Sequence, residues 1–292
     1  MWGVSSASPV LVIRGPVELK VILVEISSLH HHEELLPGLL EDLKEEIARD
    51  GYLKHPVIVD EETLVVIDGS HRVEALRELG CKLIPACMVR YQDPDISVGC
   101  WYRTLKGPLG LDEASKALEE GLGVEVRSSP GLRPEEVGEP PVAMALTDGR
   151  SYSSVVWDFS GIWEAWGLVK RAEGVLRELG FEVGFETEED AFGKLSSGEA
   201  DLVLMTPRVC KSDVLQVALS GRRFPHKTTR HKVPARPLFL NIPLEILRDH
   251  RPREDLEGEV RRLLASRRVR RLPPGEVIEG RRYEEEVYVL EP

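Results

Sequence analysis

A chain of 292 residues with 42% hydrophobic side chains is long enough for one large or two modest domains with real cores. Its formal net charge of −12 argues against a general nucleic-acid binder, because such affinity comes from neutralising phosphates with Lys and Arg. With no run of about 18 apolar residues and no signal-peptide pattern at the start, a cytoplasmic protein without a membrane partner is expected.

The first elements read as strands over Val10 to Ile13 and Glu18 to Ile26. Leu39, Leu40, Leu43 and Ile47 then give Pro37 to Arg49 one apolar helical face, and Gly51 stands where a C-terminal cap belongs. Short strands follow at His55 to Val59 and Thr63 to Ile67, and Val73, Leu76 and Leu79 mark a helix that ends at Gly80. Strands near Leu83 to Tyr91 and Ser97 to Leu105 close a first α/β domain over residues 1–108, with its boundary in the Gly/Pro connector of Lys106 to Leu111.

A second domain, 109–248, opens with a helix over Asp112 to Glu120 and a strand near Val124, followed by a Pro/Gly/Glu loop from Pro130 to Pro141. Asp148-Gly149 lies between the strand-like runs Val142 to Leu146 and Tyr152 to Trp157, a strong hairpin signal. Helices over Ile162 to Leu179, Glu188 to Leu195 and Ser212 to Ser220 then alternate with strands at Phe181 to Phe185 and Asp201 to Met205, which makes this domain α/β as well. Residues 249–292 form a C-terminal extension. It holds a helix over Arg253 to Leu264, the basic run Arg267, Arg268, Arg270 and Arg271, and a last strand at Val287 to Leu290. Such a charge run is most simply a solvated face.

Cys81, Cys87, Cys100 and Cys210 lack paired Cys-x-x-Cys spacing and read as buried thiols. Amides are nearly absent (Gln92, Gln216 and Asn241), and Glu and Arg are abundant, as in proteins from hot sources.

The strand-to-helix turn Asp68-Gly69-Ser70-His71-Arg72 holds the densest chemistry. Gly69 permits a close backbone approach or a positive φ, and the first helical N–H groups face whatever lies in front of them. An anion fits there: Arg72 can fork two phosphate oxygens, His71 can donate a hydrogen bond, and Asp68 can hold a hard cation. An Asp cap on a core helix, with His71 and Arg72 solvated, explains the same residues equally well. His30-His31-His32 looks like a metal cluster, but neighbouring side chains on an extended segment alternate in direction and rarely converge on one ion. His32 is therefore read as an active-site neighbour of Glu33, and His30 and His31 as surface groups.

The string Asp-Gly-Ser-His-Arg-Val-Glu-Ala-Leu-Arg-Glu-Leu-Gly at 68–80, followed by Lys82-Leu83-Ile84-Pro85, resembles the signature box of the ParB/sulfiredoxin superfamily. Ser70 occupies the position of the sulfiredoxin catalytic Cys, and no helix-turn-helix of the ParB kind follows the box. Four blocks together resemble the archaeal free L-serine kinases: His32-Glu33, the Asp68 box, Trp101-Tyr102 with Lys106-Gly107, and Phe224-Pro225-His226-Lys227-Thr228-Thr229-Arg230-His231. They span roughly residues 17 to 245, and the Lys-Thr-Thr-Arg-His block discriminates this branch from the others.

The resemblance implies a ParB/sulfiredoxin-like nucleotide-binding domain, a second α/β domain and an active site in the cleft between them. It implies transfer of phosphate from ADP or ATP, with Mg²⁺, to the hydroxyl of free L-serine, giving O-phospho-L-serine for cysteine synthesis. Glu33 resembles the family's catalytic glutamate, with Glu34 as the fallback, although a carboxylate placed for a helix dipole would look the same. Asp68 is assigned to the metal or the reacting phosphate, and Gly69, Ser70, His71 and Arg72 to the nucleotide. Trp101 is assigned to the serine pocket, where a half-buried core tryptophan is the plain alternative. Lys227, Thr228, Thr229, Arg230 and His231 are assigned to the serine carboxylate and the phosphoryl group in flight. No nucleic-acid partner is expected. The alternative from another class is a ParB-like nucleotide-binding regulator associated with DNA, or a nuclease.

Overall fold

The computed structural model describes residues 8–292, and the chain divides into two compact units. One takes the chain up to Ser97 together with 218–222 and 231–292, and the other takes 98–217 and 223–230.

The first unit is built on a five-stranded sheet in the order Leu11–Ile13, Leu19–Glu25, Leu83–Val89, Val57–Asp60, Val66–Asp68. Its pairs are antiparallel except Val57–Asp60 with Leu83–Val89, which is parallel. A parallel pair needs a crossover, and this one carries the turn at Asp68 and the helix Ser70–Glu78. That helix buries Val73, Ala75 and Leu76 and packs on the helix Pro37–Asp50, which ends at Gly51 in the left-handed region (φ 76°).

The C-terminal residues, expected as a separate extension, belong to this unit. The helix Arg253–Ala265 buries Leu256, Val260 and Leu264. Glu286–Glu291 runs between Ala235–Leu238, to which it is parallel, and Arg268–Leu272, to which it is antiparallel. The basic run is thus an outer strand with exposed arginines, two of them paired: Arg270 with Glu291 at 2.6 Å, and Arg271 with Glu286. Val277–Ile278 and Arg281–Arg282 form a further small hairpin.

The second unit has a six-stranded sheet in the order Glu182–Glu186, Tyr102–Lys106, Leu202–Met205, Val142–Thr147, Tyr152–Val156, Glu125–Ser128. All its pairs are antiparallel, although strands and helices alternate along the chain. Helices cover both faces. Tyr102, Ala145, Val203 and Met205 pack with Ala191 and Phe192 of the helix Glu188–Ser197. On the other face Arg103 meets Trp166 and Glu173 of the helix Ile162–Glu178.

The single strand expected over Ser97 to Leu105 breaks at Trp101, and Tyr102–Lys106 lies inside the second unit's sheet. The division therefore falls after Ser97 rather than at 108. Gly107-Pro108 only turns the chain from that buried strand into the helix Leu111–Leu122. Among the described residues no helix is long and apolar enough to cross a membrane.

Candidate active site

Asp68 ends an edge strand, opposite Ile58 in register, and Gly69 turns the chain with φ 102°. No side chain caps the helix that follows. A β-carbon on Gly69 would lie 2.7 Å from Val57 Cγ1 and 2.9 Å from Arg72 Cζ, so only glycine lets Arg72 fold back over the turn. Arg72 donates to Asp68 Oδ2 at 3.1 Å and to the carbonyl oxygens of His55 (3.4 Å) and Pro56. The reading of Asp68 as a helix cap is therefore set aside, because its carboxylate faces guanidinium groups.

A second arginine, which the sequence reading did not single out, completes that cluster. Arg236, buried in the strand Ala235–Leu238, donates through Nη1 to Asp68 Oδ2 at 2.6 Å and through Nε to Glu285. Burial opposes the charged form of Asp68, but Arg72, Arg236 and Arg281 outweigh it and hold the carboxyl well below the usual carboxylate range. An Arg inside the apolar run from Val233 to Leu240 is the one trace the sequence offers, since an unpaired charge there would be prohibitive.

His71 Nε2 accepts the backbone N–H of Leu36 at 3.1 Å. This bond ties the extended segment that carries Glu33 to the box helix and keeps that nitrogen unprotonated. Glu33 is half-buried and stands four residues before the helix Pro37–Asp50, whose first turn contains no acidic residue, so service to that helix dipole does not explain it. His32 is buried and donates through Nδ1 to Val66 O at 2.8 Å. Burial lowers its pKa, against the opposing charges of Glu33 and Asp68, so the ring is neutral with its proton on Nδ1. His31, expected at the surface, is buried 3.9 Å from Glu74. Alternation did separate the histidines, but it turned His31 towards the box helix and left His30 exposed.

His231 groups with this first unit rather than with the residues before it. Its Nε2 shares a hydrogen bond with Tyr91 OH at 2.7 Å, and its ring meets that of His32 edge-on at 5.2 Å. Tyr91 also went unnoticed in the sequence, where it reads as the end of a strand.

In the second unit the loop before it is assembled around Trp101. Lys227 Nζ lies 4.7 Å and Arg230 Cζ 5.6 Å from the indole ring, whose Nε1 donates to Thr229 O at 3.0 Å. Lys227 has φ 59°, a left-handed conformation unusual for a side-chain-bearing residue and characteristic of shaped sites. Thr228 is fully buried, and its hydroxyl donates to Pro225 O at 2.8 Å, so its side chain braces the loop. Arg103, another residue missed by sequence reasoning, holds the ensemble from below. It is completely buried, pairs with Glu173 at 2.7 Å, and donates to Trp101 O (2.6 Å) and Lys227 O (2.9 Å). Its alternation with Tyr102 on a buried strand was the available sign.

A metal finds a limited donor set. Both arginine bonds of Asp68 fall on Oδ2, and among the described residues no group of three or more His, Cys, Asp or Glu is placed to hold an ion. One carboxylate oxygen suits Mg²⁺ that brings its other ligands as phosphate and water.

No family model matches this chain. It is 28% identical over 240 residues to an ATP-dependent L-serine kinase of Staphylothermus marinus, covering 78% of this chain and 91% of that one. It is 28% identical over 235 residues to an ADP-dependent L-serine kinase of Thermococcus kodakarensis, covering 77% and 92%. Among solved structures, a free serine kinase in complex with AMP superimposes with a TM-score of 0.66 at 27% identity, over 78% of this chain and 93% of that one.

Proposed function

We propose that this chain is a free L-serine kinase like these relatives, moving the terminal phosphate of ADP or ATP to the hydroxyl of L-serine to give O-phospho-L-serine. The observation that carries this reading is the Asp68 turn, where two guanidinium groups converge at the uncapped start of a helix. Such a start offers backbone N–H groups and a positive dipole end to an anion, and Arg72 adds a forked cation.

Phosphoryl transfer asks the protein mainly to position two substrates and to neutralise charge as the phosphate moves. Gly69, Ser70, His71 and Arg72 receive the nucleotide phosphates. Asp68 orients the reacting phosphate, and its remaining oxygen is where nucleotide-borne Mg²⁺ would be held; the ion supplies charge neutralisation. Glu33 orients the serine hydroxyl and takes its proton as the new O–P bond forms and the bond to AMP or ADP breaks. Lys227 and Arg230, which lie on the indole face of Trp101, the backbone around Thr228 and Thr229, and His231 bind the serine carboxylate and the transferring group.

Purified protein with Mg²⁺, L-serine and either ADP or ATP should yield O-phospho-L-serine by ³¹P NMR, and no product with either donor sinks the reading. Glu33→Gln should lower turnover by about 100- to 10,000-fold while nucleotide affinity stays within about twofold; retained turnover removes Glu33 from its role.

A further inference from the structure

Beside the box turn lies a cavity of about 300 Å³, reached by Lys54, His55, Arg72 and Arg236. Ile278, Arg281 and Tyr283 reach it too, from a part of the chain beyond the blocks that carry the family resemblance. About a fifth of this chain lies outside its match to the serine kinases.

The small hairpin that brings these residues is fixed by its turn and its pairing. Its two-residue turn, Glu279-Gly280, has both φ angles positive (48° and 77°), the conformation that matches the twist of paired strands. Gly275 N donates to Tyr283 O at 2.7 Å and Tyr283 N to Glu276 O at 2.9 Å, which extends the pairing. Tyr283 is anchored in a core of Leu238, Val287 and Val289.

The cations of the cavity differ in one respect. Lys54 already meets Glu46 and Glu279 at 3.4 Å, and Arg72 and Arg236 share Asp68. Among the described residues Arg281 has no carboxylate partner; its guanidinium lies over the Tyr283 ring at 4.8 Å, which orients it. Its charge is nevertheless felt by Asp68, Arg72 and His55. An anion entering here gains Arg281 without breaking an existing pair.

We propose that the C-terminal hairpin completes the nucleotide pocket, with Arg281 binding a phosphate of the adenine nucleotide and Leu53, Leu238 and Ile278 forming the apolar wall for its base. This rests on the reading of the box turn as the nucleotide site. Calorimetric titration of the full-length protein with AMP and ADP, with adenosine followed by competition, tests it. Arg281→Gln should weaken AMP and ADP by about tenfold and leave adenosine within about twofold, and Arg281→Lys should recover part of the loss. The exposed neighbour Arg282, outside the cavity lining, should tolerate Arg282→Gln without change. Unchanged AMP and ADP binding in Arg281→Gln, or an equal loss for adenosine, overturns the proposal alone. Wild-type protein that binds neither nucleotide overturns it together with the kinase reading.

Discussion

His55 accepts a hydrogen bond that only a neutral ring can accept, from Phe239 N to Nδ1 at 3.1 Å, and it packs edge-on against Phe239 at 4.8 Å. Burial, then Arg72, Lys54, Arg236 and Arg281, push its pKa down to about 3 from the usual 6.5. A histidine whose folded pKa is depressed contributes stability that is complete above pH 6.5 and is lost as pH falls through 3. The contribution is on the order of 5 kcal/mol. Urea unfolding across that window should therefore show a steeper loss in wild type than in His55→Phe, and parallel profiles would refute the argument. At this scale the sequence was legible where chemistry clusters locally, as in Asp68 to Arg72 or Lys227 to Arg230. It was silent on His55 and Glu173 and gave only a faint sign of Arg103 and Arg236, because the partners of all four lie far away in the chain.

The box helix begins on Gly69, and the element depends on that residue for more than its start. With φ 102° and a would-be β-carbon 2.7 Å from Val57 Cγ1, Gly69→Ala meets both a backbone penalty of about 1–2 kcal/mol and a clash that must displace Arg72. Reduced stability by about 2 kcal/mol and nucleotide affinity about tenfold weaker are expected; affinity at the wild-type level would mean that Arg72 does not hold phosphate. Some helices were readable in advance: Pro37–Asp50 falls where its apolar periodicity and Gly51 put it, and Ile162–Glu178 ends within one residue of the helix read over Ile162 to Leu179. Arg268–Leu272 was not, because its strand is made by pairing with Glu286–Glu291 while its own arginines face solvent, leaving no alternation to see. The break at Trp101 was hidden for a related reason, since a continuous run of strand formers does not tell which sheet it will enter.

On the scale of the whole molecule, the C-terminal residues decide whether the first unit is complete. Ala235–Leu238 has Glu286–Glu291 as its sheet neighbour, and Arg236 depends on Glu285 as well as Asp68. Ending the chain at Arg248 would expose that strand as an unpaired edge, uncover the surfaces that Leu256, Val260 and Leu264 now bury, and remove one of two carboxylates from a buried guanidinium. Removing one partner of such a group costs about 3–5 kcal/mol, a large part of the roughly 5–15 kcal/mol that holds a domain together. The truncated protein should thus bind a hydrophobic dye and lose cooperative melting of the first unit, and its Asp68 cluster should no longer retain nucleotide. A soluble, cooperatively melting product of that truncation would show the segment to be a dispensable addition. A structural role and a nucleotide role then separate cleanly, because Arg281→Gln leaves the strand pairing and the Arg236–Glu285 pair in place and so tests the pocket without dismantling the unit that forms it.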